Sequence, residues 1–355
     1  MAGTIVCLGE LLIDFVPEQN GQALEEVPAF QRAAGGAPAN VAAAVAKLGG
    51  SSRFIGKIGR DAFGRFLRGT LEAAGVDTAL VETDAARTGL AFVSLREDGE
   101  RDFLFYRGPS ADMLLEASEV DDAWLRDAAV YHFGSVSLIS EPCRTATLEA
   151  ARRVKASGGV ISYDPNLRPA LWPDEETMRQ EVLAHIGLAD IVKVSEEEAA
   201  FLTGLDPAES VQQLLELGAK AVVVTRGEEG CCVVTRNAMT LVPGVRVKAV
   251  DTTGAGDSFV GAMLFQLAEQ GIEADGIESA FSDDAKVKEM FSFANQVGAI
   301  TTTRRGAIPA LPTMAEVLGI EETEETEAEG IEELDKLEGL FKEGGFPFAS
   351  HPKES

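Results

Sequence analysis

The chain has 355 residues, 45% of them hydrophobic, and 31 Lys and Arg stand against 58 Asp and Glu for a formal net charge of −27. That much apolar material fills a large core, and the length suits one large domain or two. So negative a chain repels phosphate backbones and anionic lipid at long range, which excludes nonspecific nucleic-acid and membrane binding.

From the N-terminus, Thr4–Leu8 reads as a buried strand, and Leu11–Gln31 alternates like a half-exposed antiparallel pair. Ala39–Leu48 has helical spacing, Arg53–Ile58 is the next strand and Ala62–Ala74 the next helix. Thr88–Arg107 alternates again, as a hairpin around Asp98-Gly99. Then follow strands at Val130–Phe133, Val160–Tyr163, Ile191–Val194 and Ala221–Thr225, with helices at Cys143–Ala156, Glu196–Thr203 and Val211–Leu217. Strands alternating with helices predict an α/β fold, a three-layer α/β/α body on a mostly parallel sheet buried on both faces. The two alternating segments, about 11–34 and 88–110, predict a small β-sheet lid over the carboxyl ends of that sheet, where open α/β folds bind ligands.

The body runs over 1–318, and 319–355 changes character. From Glu321 onward 12 acidic residues meet 3 basic ones, net −9, which predicts a flexible, solvated acidic tail. Cys7, Cys143, Cys231 and Cys232 form no CxxC pair and suggest neither zinc nor disulfides. The absence of a basic n-region, of a long apolar run and of any glycosylation sequon points to the cytoplasm. His132, His185 and His351 lie far apart, so chemistry falls to carboxylates, arginines and backbone amides.

Two motifs carry that chemistry. In Val250–Phe259 (VDTTGAGDSF) the run Gly254-Ala255-Gly256-Asp257 opens a helix, placing uncovered amides and a helix dipole where an anion can approach. Asp257 would compete with a phosphate for those amides, unless its task is to accept a proton from a hydroxyl attacking the phosphoryl group. The plainer reading is an Asp helix cap. In Ala34–Ala42 (AGGAPANVA) the pair Gly35-Gly36 exposes main chain before a helix and Asn40 offers donor and acceptor, which suits a polyhydroxylated ligand. The plainer reading is a tight turn with Pro38 in the first helical turn.

These motifs, with LGELLIDFVP, FLFYRGPSADMLL, SYDPNLRPALWP, DIVKVSEEEAAFLTG and TTTRRGAIPALPT, resemble the ribokinase-like (phosphofructokinase B) carbohydrate kinases, and within them the plant-type fructokinases. The chain has no GxGxxG and no GxxxxGK[ST] motif. The resemblance implies an ATP-dependent sugar kinase phosphorylating a primary hydroxyl of fructose, with Asp257 as base and Gly254, Ala255 and Gly256 as anion hole. It implies sugar contacts from Asp14, Gly35, Gly36 and Asn40, lid closure by Phe103, Phe105 and Arg107, and Arg168 reaching the substrate or transferred phosphate. The two arginines also read as ordinary surface ion pairs.

For the nucleotide it implies Thr225, Gly227, Gly230 and Asn295. Ser195 and Glu198 fall where relatives carry Asn-x-x-Glu, with Glu198 reaching Mg²⁺ through water. It implies a K⁺ site from the Asp251 carboxylate and the carbonyls of Thr253, Thr301, Arg304 and Gly306, and a homodimer through the lid. A 2-keto-3-deoxygluconate kinase or other sibling sugar kinase is the enzymatic alternative. A non-catalytic scaffold docking through the acidic tail is the other.

Overall fold

The computed structural model describes residues 3–19, 21–95 and 101–319. The expected turn at Asp98-Gly99 and the acidic tail from residue 320 lie outside the described residues, as does the Phe103 side chain.

The strands are β1 (Thr4–Leu8), β2 (Leu12–Pro17), β3 (Phe30–Gly35), β4 (Ser52–Gly59), β5 (Asp77–Thr83), β6 (Leu90–Leu95) and β7 (Arg101–Tyr106). After them come β8 (Ala128–Gly134), β9 (Val160–Asp164), β10 (Ile191–Ser195), β11 (Ala221–Thr225), β12 (Cys231–Thr235) and β13 (Met239–Val242). The main sheet has the order β13-β12-β11-β10-β9-β8-β1-β4-β5. From β5 to β11 all pairings are parallel, and β12 and β13 add an antiparallel hairpin at one edge.

Along β1 the residues alternate between two cores. Ile5 and Cys7 enter one, Val6 and Leu8 the other, all at most 1% exposed. Strands covered on both faces read as unbroken apolar runs, which is why their bounds were legible. The helices are α1 (Ala37–Lys47), α2 (Ala62–Ala73), α3 (Cys143–Ala156), α4 (Glu175–Ala184), α5 (Glu196–Thr203), α6 (Pro207–Glu216), α7 (Ala255–Glu269), α8 (Ile277–Ala280), α9 (Asp284–Thr302) and α10 (Met314–Leu318). α1, α2, α7 and α9 cover one face of the sheet and α3 to α6 the other. None of the described helices is long and apolar enough to cross a membrane.

The second sheet is the lid, with the order β3-β2-β6-β7. Its hairpins β2–β3 and β6–β7 are antiparallel, as the alternation predicts, but the inner strands β2 and β6 pair parallel. Period-two alternation reports a half-exposed strand and carries no information about its neighbour's direction, so this pairing was invisible in sequence. Aromatic packing ties the lid to the body: Phe15 stacks on Phe92 at 4.7 Å and meets Phe63 of α2 edge-on at 5.9 Å. The Arg32 guanidinium lies 4.2 Å from the Phe66 ring centroid.

Candidate active site

β1 lies between β4 on one side and β8 on the other, so the chain reverses its winding there. A crevice opens outside the carboxyl ends of strands at such a point. Its walls come from residues following β1 (Glu10, Asp14), β8 (Val136) and β9 (Asn166, Arg168), from Lys193 of β10 and from the start of α7, while Phe105 and Val93 cover it from the lid.

Asp257 sits in the first turn of α7, 9% exposed. It is not the helix cap: Gly254 takes that place in the left-handed region at φ 77°. The carboxylate is held from two sides, Oδ2 accepting from Asn40 Nδ2 at 2.8 Å and Oδ1 from Asn166 Nδ2 at 3.3 Å. Burial pushes its pKa up to about 6, against the pull of the Asn40 hydrogen bond; Asp164 adds to the rise, while Arg168 and Lys193 oppose it. Asp14 rises to about 7, mainly by burial, with Arg168 lowering and Asp257 raising it.

The two glycines before α1 serve neighbouring backbones and side chains. A Cβ on Gly35 would lie 2.1 Å from Asp14 Oδ2, so the bare position is what admits that carboxylate. A Cβ on Gly36, at φ 122°, would lie 2.2 Å from the Glu10 carbonyl oxygen. In the GAGD turn Gly254 and Gly256 line the crevice, whereas Ala255 turns its N–H back to the Thr252 carbonyl at 3.3 Å. The amides of Gly256 and Asp257 sit at helix positions where no intrahelical acceptor exists.

Not every expected residue lines the crevice. Arg107 does not close over the crevice: it is 8% exposed and its guanidinium is bound to buried Asp112, Nε donating at 3.1 Å. A guanidinium drawn into the interior binds the carboxylate that compensates its desolvation. Arg168 is exposed on the rim, lines the crevice and makes no ion pair among the described residues. Ser195 and Glu198 form a capping box on α5, and Glu198 Oε1 also accepts from Leu167 N at 2.7 Å.

Thr225, Gly227 and Gly230 gather at the carboxyl end of β11, beyond the crevice lining, and Gly230 (φ 97°) lets the 242–244 backbone pass close by. Asn295 of α9 donates to the carbonyls of Pro243 (2.9 Å) and Val242 (3.3 Å), fastening that same backbone. Asp251 joins two loops, Oδ1 accepting from Thr253 N and Oγ1, and Oδ2 from Gly306 N at 2.9 Å. Thr301 N-terminal to this loop keeps its carbonyl beside Arg304, whose N–H reaches it at 3.4 Å.

Sequence reasoning missed Lys193, Glu10 and Asn166. Lys193 is 7% exposed, donates to Asp164 Oδ2 at 3.1 Å, and its Nζ would lie 3.3 Å from a Cβ on Gly256. Burial pulls its pKa down, but the carboxylates of Asp164 and Glu198 outweigh this and hold it above the usual value. Its signal was a charge inside an otherwise apolar strand, IVKVS. Asn166 carries φ 44°, a left-handed conformation that Asn tolerates better than most residues.

A family model described as pfkB family carbohydrate kinase matches residues 2–314. Fructokinase-1 of Zea mays is 53% identical over 317 residues, covering 88% of this chain and 96% of that protein. A solved structure of fructokinase with bound ATP from Xylella fastidiosa superposes with a TM-score of 0.83 at 40% identity, covering 94% of this chain and all of that one. A double mutant of fructokinase from Vibrio cholerae O395, in a form with fructose, ADP and potassium ion bound, gives 0.80 at 36% identity over 90% of this chain and 99% of that one.

Proposed function

The chain belongs to the pfkB family of carbohydrate kinases, and on that premise we propose that it is an ATP-dependent fructokinase giving fructose 6-phosphate. The observation that carries the mechanism is a buried carboxylate, Asp257, held by two amide side chains beside the open amides of a helix N-terminus. Asp257 takes the proton of the attacking primary hydroxyl. The amides of Gly256 and Asp257 meet the charge on the transferring phosphoryl group, and Lys193 stands beside them. Positioning and charge stabilisation supply most of the rate in such transfers. A coupled ATP-consumption assay over fructose, ribose, adenosine and 2-keto-3-deoxygluconate tests the substrate. Preference for any sugar but fructose would overturn it.

Proton acceptance requires ionised Asp257, so kcat/KM is expected to fall on the acid side of about pH 6, where burial has placed this group. A pH–rate profile flat down to pH 5 would remove Asp257 from the role.

Mg²⁺ bound with ATP would neutralise phosphate charge. Glu198 holds two backbone amides with its two oxygens, and its remaining lone pairs suit a metal-bound water. Asp251 with the carbonyls of Thr253, Thr301, Arg304 and Gly306 is an all-oxygen donor set suited to K⁺, on the two loops that support Gly254. Activity is therefore expected to be higher in KCl than in NaCl at equal ionic strength; equal rates would remove the site.

The exposed lid residues Leu104 and Tyr106, 45% and 59% exposed, suit cover by a second copy. Sedimentation tests this, and a monomer would exclude it. The four free cysteines are buried, as suits a reducing cytoplasm.

A further inference from the structure

Glu10 is 6% exposed and lines the crevice, yet the proton transfer described above does not use it. Its Oε1 accepts from the Ala37 N–H at 2.9 Å, which pins the carboxyl to the start of α1 and stops it swinging to solvent. Its Oε2 is buried with no hydrogen-bond partner among the described residues. A buried acceptor left bare costs free energy, and a native site keeps one where a ligand supplies the donor.

Asn40 repeats the pattern. Its Nδ2 is committed to Asp257, and its Oδ1 is buried without a partner among the described residues. Asp14 adds a third acceptor on the same wall. Of the cations nearby, Arg107 is engaged on Asp112 and Lys193 on Asp164, while Arg168 stands exposed on the rim. Burial raises the pKa of Glu10 to about 7, opposed by its own backbone N–H, by Arg107 and by the Ala37 hydrogen bond, while Asp112 adds to the rise.

We propose that Glu10 is a specificity-determining residue whose Oε2 accepts a hydrogen bond from a hydroxyl of the bound sugar, so that the inner wall selects neutral polyols and rejects acid sugars. This rests on the reading of the crevice as a sugar site. A hydroxyl can donate to Glu10. A carboxylate has nothing to donate and would face Glu10 and Asp14 at close range. A site built to pair a hydroxyl discriminates strongly against an analogue that lacks it, because its own buried acceptor then stays bare.

Glu10→Gln keeps the shape and leaves an acceptor for the Ala37 N–H while altering the group facing the sugar. The expected result is a KM for fructose raised about ten- to a hundredfold, with kcat and the KM for MgATP within about threefold and an undiminished Tm. The preference for fructose over 2-keto-3-deoxygluconate should narrow by a similar factor. A fructose KM within twofold of wild type, or an equal rise in the KM for MgATP, would overturn the proposal. If the variant does not fold, deoxyfructoses on the wild-type enzyme decide. One of them should lose about tenfold or more in kcat/KM, and losses under threefold throughout would end the idea. A wild-type enzyme that ignores fructose but phosphorylates another neutral sugar, with Glu10→Gln weakening that sugar, would overturn the fructose reading and leave Glu10 in place.

Discussion

Asp257→Asn is expected to lower kcat for fructose by about 10²–10⁴ while the fructose KM stays close to wild type. The amide cannot take the proton and keeps the shape of the carboxylate, but it offers one acceptor oxygen where Asp257 offers two, so only one of the hydrogen bonds from Asn40 and Asn166 persists unchanged. A second readout separates this loss from unfolding. The pKa of Asp257 is raised in the fold from 3.8 to about 6, so the folded state holds the proton more tightly than the unfolded chain does. That contribution to stability is complete below the ordinary carboxylate range and is lost as pH rises through about 6. Removing the ionisable group removes the cost at high pH, so the ligand-free variant should have a higher Tm than wild type at pH 8. The gain should shrink towards pH 4. Turnover close to wild type would exclude Asp257 as the base, and a lower Tm at pH 8 would mean that its charge stabilises the empty site.

Gly36→Ala is expected to cost roughly 3 kcal/mol of stability, lowering Tm on the order of 5–10 °C, and to abolish sugar binding. The residue has φ 122°, outside the usual range of side-chain-bearing residues, and its new Cβ would meet the Glu10 carbonyl oxygen at 2.2 Å. That oxygen is backbone, so relief requires moving the β1–β2 connection, which carries Glu10 and leads into Asp14 of β2, away from α1, which carries Asn40. Two controls divide the effect. Gly49→Ala has φ 89° with nothing within 4 Å and reports backbone strain alone. Gly69→Ala, in the interior of α2 with open space around it, should instead gain about 0.5–1 kcal/mol. A Gly36→Ala enzyme with wild-type Tm and fructose KM would show that the crevice wall tolerates rearrangement.

The sequence determined the elements whose signals are local. Thr4–Leu8, Ala221–Thr225, Cys143–Ala156 and Glu196–Thr203 have the expected bounds, because a strand buried on both faces and an amphipathic helix each write their environment into residue order. GAGD and AGGAPAN announced themselves through glycines, which open the start of α7 in the first and admit the Asp14 carboxylate and the Glu10 carbonyl in the second. The SEEE run also held a capping box that could have been read directly. Less legible were β5, whose polar ends (DTALVET) blur its pattern, and the edge hairpin β12–β13, where Cys231-Cys232 showed burial without pairing.

Only the tertiary structure decided which charges meet. Residues 10, 14, 40, 166, 193 and 257 come from separate segments, and nothing in their sequence spacing says that Asn40 and Asn166 grip opposite oxygens of Asp257. Arg107 and Arg168 look equivalent in sequence, yet one is locked on Asp112 inside the protein and the other stands on the crevice rim. The physical reason is range. Periodicity and turn chemistry act over a few residues, so one segment contains them. Desolvation and charge pairing depend on whatever the fold brings within a few ångströms, and that is fixed only when the sheet closes and the lid lies across its end.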